Sequence, residues 1–160
     1  MCIKRCLGCP GDTISIKDGK YLNSNVVGSL GNLYYQRALH HIPDSTLYAY
    51  GFISSSIFAN TKFGWNIKNF GPLYVPKKGD TIVLDREKYS LYEKLIMYEM
   101  NLESKIIDYD EFIENLIPHS YTFKTNWYFV GGDNVLNSKD SRYIGLIPEE
   151  YIIGVVQTKN

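Results

Sequence analysis

An excess of one charge is missing from this sequence. Lys and Arg together number 17, Asp and Glu also 17, and the formal net charge over 160 residues is zero. Such a balance gives no electrostatic reason to expect a nucleic-acid partner. Long apolar runs are missing as well. None reaches the ~18 residues that would suggest a membrane span. Met1 is followed at once by Cys2, Ile3, Lys4 and Arg5, which leaves no place for the apolar stretch of a signal peptide. As it stands the chain reads as soluble. It also begins inside what reads as a strand, and it is expected to be part of a longer protein.

Histidine and cysteine are scarce. His40 and His41 are adjacent, and His119 stands alone. Cys6 and Cys9 have C-x-x-C spacing, but no second ligand pair is spaced to complete a zinc site. A thioredoxin-like site needs a βαβ setting, whereas Pro10-Gly11 makes a turn straight after Cys9. Cys2, Cys6 and Cys9 are therefore expected to be small buried side chains, with no metal and no cofactor implied.

Fourteen tyrosines in a chain that is 44% hydrophobic point toward pleated, half-buried surfaces. Met1 to Leu7 reads as a short strand, and Gly8 to Asp12 as a turn. Thr13-Ile14-Ser15-Ile16 alternates at period two, and Asp18-Gly19 is a strong hairpin signal before Tyr21-Leu22. Residues 23–85 read as mixed β and loop, ending on a strand at Thr81-Ile82-Val83-Leu84. The clearest helix runs from about Arg86 to Met100, where Tyr89, Tyr92, Leu95, Ile96 and Met100 recur near helical spacing and Asp85 can cap the start. Between Lys105 and Phe123 a hairpin is expected, with Phe112-Ile113 and Tyr121 to Phe123 as its strands; a short helix opened by Asp108-Tyr109-Asp110-Glu111 is the alternative. Trp127 to Val130 reads as a strand, Gly131 to Gly145 as a long polar loop, and Tyr151 to Val156 as a closing strand.

Two segments concentrate chemistry. One is Lys4-Arg5-Cys6-Leu7-Gly8-Cys9-Pro10-Gly11-Asp12. The other is Gly132-Asp133-Asn134-Val135-Leu136-Asn137-Ser138-Lys139-Asp140-Ser141-Arg142-Tyr143. Taken singly, a lysine ahead of a Gly/Pro turn is ordinarily a solvated edge charge, and a loop of Asn, Asp and Ser is ordinarily surface. Together they resemble two signature boxes of bacterial type I signal peptidases. Lys4, Arg5, Gly8, Pro10, Gly11 and Asp12 match the first. Gly132, Asp133, Asn134, Asn137, Ser138, Asp140, Ser141, Arg142, Tyr143 and Gly145 match the second. Pro148 and the stretch through Gly154 fit the family's ending. Residues 69–80 resemble the corresponding region of Bacteroidetes-like members. Val135 and Leu136 depart from the pattern, being apolar where the family usually has polar residues.

The resemblance implies a mostly β fold, with an antiparallel signal-peptidase-like β core from residues 1–22 and 121–160 and an inserted α+β lobe over 23–120. It implies a serine endopeptidase that removes signal peptides from exported preproteins with a Ser/Lys dyad and needs no cofactor. Lys4 then corresponds to the general base. A lysine serves as base only where its surroundings disfavour the ammonium form. Ser138 corresponds to the residue that aims it, and Gly132, Arg5, Asp133, Asp140 and Arg142 to its supports. The resemblance pairs Asp133 with Arg5 and Asp140 with Arg142. In the family the nucleophilic serine lies upstream of the lysine, in a Ser-Met-x-Pro-like motif after a membrane anchor. Only Met1, Cys2 and Ile3 precede Lys4, so both nucleophile and anchor are expected upstream of this sequence. The chain alone is then expected to be inactive, with a truncated face open to self-association. The longer protein is expected on the outer side of the cytoplasmic membrane. A non-catalytic binding or scaffold protein of the same fold is the alternative, and the related self-cleaving Ser/Lys repressors fit the second box less well.

Overall fold

The computed structural model describes residues 2–52, 63–101 and 119–156. They form antiparallel sheets with a few helices, a β-rich core of the signal-peptidase kind. The chain divides into two compact units. The first comprises Met1–Val75 with Trp127–Asn160, and the second Pro76–Asn126.

In the first unit β1 (Arg5–Gly8) pairs with β7 (Trp127–Gly131), which pairs in turn with the two-residue β8 (Ile147–Pro148). The β1–β7 register sets Arg5 against Gly131 and Cys6 against Val130, then slips between Cys6 and Gly8. A second sheet has the order β3 (Lys20–Asn23), β2 (Thr13–Lys17), β4 (Phe70–Tyr74). The period-two alternation of β2 turns Ile14 and Ile16 inward, where both are almost completely buried. The β2–β3 connection is the two-residue turn Asp18-Gly19, with φ of 49° and 79°. Positive φ at both positions is what the right-handed strand twist requires, and Asp-Gly supplies it cheaply. Leu7, Ile67, Leu73, Val75, Trp127 and Phe129 are also buried, and the Phe70 and Phe129 rings lie 5.6 Å apart.

Residues 23–75 cluster with this first unit, because β4 is a strand of the same sheet as the hairpin. They also hold two helices where the sequence suggested only β and loop: α1 (Leu33–His41) and α2 (Asp44–Ala49). Asn32 caps α1 by accepting from the Tyr34 and Tyr35 N–H groups, and Pro43 leads into α2. The Lys68 side chain reaches the Ile42 carbonyl and pairs with Asp44 at 2.9 Å, tying the stretch before β4 to the turn between these helices.

In the second unit β5 (Thr81–Val83) pairs with β6 (Ser120–Thr122), and helix α3 (Arg86–Asn101) lies between them in sequence. Asp85 caps α3 through the Lys88 N–H at 2.7 Å. Tyr89, Tyr92, Leu95, Ile96 and Met100 are all buried, as their spacing suggested. Glu99 is also buried. It accepts from the Tyr121 hydroxyl at 2.7 Å and from the Lys124 and Thr125 N–H groups, so a carboxylate organises the turn after β6. The expected strand at Phe112-Ile113 lies outside the described residues.

Three expectations need correction. Residues 152–156 are not a strand. After β8 comes one 3₁₀ turn (Glu149–Tyr151), and Ile153, Val155 and Val156 then stand exposed. The β-branched run has strand propensity, but no described strand pairs with it, and pairing decides. Next, the 131–145 loop is not wholly irregular, since it ends in one helical turn, α4 (Ser141–Ile144). Lastly, Cys2, Cys6 and Cys9 are exposed rather than buried. Hydrophobicity alone suggested burial, but Cys2 sits at the chain start, Cys6 on the outward side of β1 and Cys9 at the turn after it.

Candidate active site

The site is built where the start of β1 meets the loop after β7. Lys4 immediately precedes β1, and its Nζ donates to Ser138 Oγ at 2.7 Å across 134 residues of sequence. Lys4 and Ser138 are each half-buried. Gly132 forms the floor. A Cβ at this position would fall 2.1 Å from Ser138 Oγ and 3.4 Å from Lys4 Nζ. Glycine is needed here for space, so that the serine can lie against the backbone.

Asp140 and Arg142 support this floor from the buried side. The two form a bidentate pair, Nε to Oδ1 and Nη2 to Oδ2 at 2.8 Å each, with both side chains fully buried. Asp140 also accepts from the Gly132 N–H at 3.0 Å and caps α4 through the Arg142 N–H. Burial alone would push its carboxyl up. Arg142, the Gly132 N–H and a hydrogen bond from Ser138 together outweigh that and hold it below the usual carboxylate range. Arg142 is raised above its ordinary value, because Asp140 and the neighbouring tyrosines outweigh its desolvation. Its guanidinium stands 5.5 Å from the Tyr143 ring centre and 6.0 Å from that of Tyr21. Lys4–Ser138 and the buried Asp140–Arg142 pair thus meet at Gly132, whose N–H is held by Asp140 and whose missing Cβ leaves room for the serine.

Arg5 and Asp133 make a second bidentate pair, at 2.7 and 2.8 Å, on the outside of the same junction. That hydrogen bonding, with the mutual charge, lowers the Asp133 carboxyl and raises Arg5. Both side chains are about half exposed, so the pair contributes alignment more than energy, ~0–1 kcal/mol. All seven residues singled out in the sequence therefore meet at one junction.

Several further contributors received no specific role from the sequence, although Ser141 and Asp12 matched the two boxes. Ser141 Oγ accepts from the Val130 N–H at 2.9 Å, fixing α4 to β7. Tyr21 flanks Arg142 from the hairpin, and burial pushes its phenol up. Asp12 holds the turn after β1 by accepting from the Cys9 N–H, Asn23 and Asn25. Those bonds bring its carboxyl below the usual range despite partial burial. Val135 and Leu136 broke the polar pattern of the loop. Val135 is buried, so it anchors the loop to the core. Its apolar character was the signal for that. Among the described residues no cluster of three or more His, Cys, Asp or Glu side chains could hold a metal ion, and no helix is long and apolar enough to cross a membrane.

A lysine aimed by a serine, set on a glycine floor and backed by a buried Asp–Arg pair, is an arrangement suited to proton transfer. The signal peptidase, peptidase S26 family matches residues 1–159, and the chain belongs to that family. No curated protein matches the chain.

Proposed function

We propose that this chain carries the general-base half of a Ser/Lys endopeptidase that removes signal peptides from exported preproteins. The carrying observation is the 2.7 Å contact between Lys4 Nζ and Ser138 Oγ over Gly132, in a chain of the signal peptidase family. Lys4 in its neutral form takes the proton of a nucleophilic serine and returns it to the leaving amine. Ser138 aims the amine: one Lys4 N–H is committed to Ser138 Oγ, which leaves the nitrogen lone pair directed away from it. Arg5–Asp133 and Asp140–Arg142 hold the two strands of the junction in register.

Ser138 is the orienting residue in this reading and not the nucleophile. Its Oγ already accepts from Lys4 and lies against Gly132, so an acyl group would have little room to form on it. The nucleophile is then a serine upstream of Met1, behind a membrane anchor that puts the site on the outer face of the cytoplasmic membrane. A scaffold without catalysis would need neither a lysine aimed this way nor a cleared glycine beneath it.

The test is to incubate the purified chain with a signal-peptide substrate, beside a longer protein that restores the upstream segment. Only the longer protein should cleave. Comparable cleavage by the 160-residue chain would place the nucleophile within it and end this assignment.

A further inference from the structure

The C-x-x-C pair remains outside the peptidase chemistry, and the fold gives it an unusual setting. On a regular strand, residues three apart point to opposite faces. Here the β1–β7 register slips between Cys6 and Gly8, and such a bulge re-aims the side chains around it. Gly8 is pressed so close to the hairpin that a Cβ would fall 2.6 Å from Ile14, and the chain then turns through Pro10-Gly11, closed by the Asp12 N–H to the Cys9 carbonyl. As a result the Cys6 and Cys9 sulfurs face each other at 3.7 Å as free, exposed thiols. Each backbone is held independently, Cys6 by the ladder opposite Val130 and Cys9 by its N–H on Asp12 at 2.8 Å.

The geometry points to Cys6 and Cys9 as a dithiol site that takes up a disulfide from a small disulfide oxidant, closing an internal Cys6–Cys9 bond beside the segment that carries Lys4. The sulfurs need to close by about 1.7 Å to reach bonding distance, a change that side-chain rotation supplies. The order of attack follows from the surroundings. Although Cys6 is exposed as a residue, partial burial of its sulfur against the Gly8 carbonyl, and then the neighbouring Cys9, push its thiol up to about 12, so Cys6 is held as the protonated partner. Cys9 attacks one sulfur of the oxidant and displaces the other as a thiolate. Cys9 is then neutral, one of the causes holding the Cys6 proton is gone, and Cys6 attacks the Cys9 sulfur and displaces the second thiolate. Two protein thiols are oxidised, one disulfide is reduced to two thiols, and the two cysteine protons pass to the departing thiolates. The inference is independent of the peptidase reading.

The test is to treat the folded chain with excess oxidised glutathione, alkylate the remaining thiols and map the peptides by mass. The expected product has lost the mass of two hydrogens, carries one alkyl group, on Cys2, and yields a linked Cys6–Cys9 peptide. Cys6→Ser should instead stop at a glutathione adduct on Cys9. Cys9→Ser should form no internal bond, and its adduct on Cys6 should appear more slowly. Three alkylated cysteines, a bond involving Cys2, or stable glutathione adducts on both Cys6 and Cys9 of the unaltered chain would each overturn the proposal. Circular dichroism before and after oxidation confirms that the product is folded, and the unaltered chain gives the decisive result even if a variant does not fold.

Discussion

Gly132 and Asp140 carry the site's precision at the level of single side chains. Gly132→Ala places a methyl group 2.1 Å from Ser138 Oγ and 2.5 Å from its Cβ, so the serine itself has to shift. Overpacking of this kind costs about 1–3 kcal/mol. Ser138 should swing away from Lys4, so denaturant unfolding should show that loss and precursor processing by the longer protein should fall with it. Asp140→Asn breaks a buried ion pair and leaves the Arg142 charge in the core, a change that costs about 3–5 kcal/mol. Because the folded-state carboxyl of Asp140 is depressed, its stabilising contribution is fully present above the unfolded carboxylate value, ~3.9, and is lost as pH falls through the folded value. The unaltered chain should therefore lose stability on acidification from about pH 5 downward. Asp140→Asn should start lower and show a shallower acid limb, as read from urea midpoints across pH. An equal acid slope in both would mean that Asp140 is not the group responsible.

Single elements show most clearly what the sequence could and could not say. The hairpin β2–β3 was legible because period-two alternation and Asp-Gly are local signals. So was α3, where apolar spacing and a capping Asp coincide. Gly19 sits at φ 79° with Gln36 and Leu39 only 3.3 Å from any added Cβ. Gly19→Ala should thus cost ~1 kcal/mol or more through the left-handed conformation alone, whereas Asp18→Gly should be nearly neutral. Helices α1 and α2 were missed, although the Asn32 cap and the Pro43-Asp44 start were readable. Their apolar faces are short, and Tyr34, Tyr48 and Tyr50 stand exposed, which blurs the period. The stretch 152–156 misled in the opposite direction, since propensity was present and a pairing strand was not. Cysteine exposure was not readable, because it depends on a bulge and a turn rather than on composition. The seven residues of the candidate site were named from the resemblance of two boxes, not from any local rule. Contacts such as Lys4 to Ser138 span 134 residues and are made by the β1–β7 register.

At the scale of the molecule, the two units are expected to lose structure independently. Glu99 is the keystone of the second, since it satisfies a buried phenol and two N–H groups at once. Glu99→Ala leaves those donors without it, at a cost of about 2 kcal/mol or more. Hydrogen exchange should then quicken over described residues 76–101 and 119–126, while amides of β1, β2 and β7 keep their protection. Uniform loss across both units would show that they unfold as one.

The central claim is that Lys4 acts as a base, and arginine at that position tests it most directly. Arginine keeps the charge and much of the reach but does not give up its proton at accessible pH. In the longer protein with the upstream serine, Lys4→Arg and Lys4→Ala should both lower the rate of precursor cleavage by about 10²–10⁴-fold, the usual contribution of a general base. Ser138→Ala, which removes only an aiming hydrogen bond, should lower it by about tenfold. Precursor processing at the wild-type rate by the Lys4→Arg protein would contradict the account.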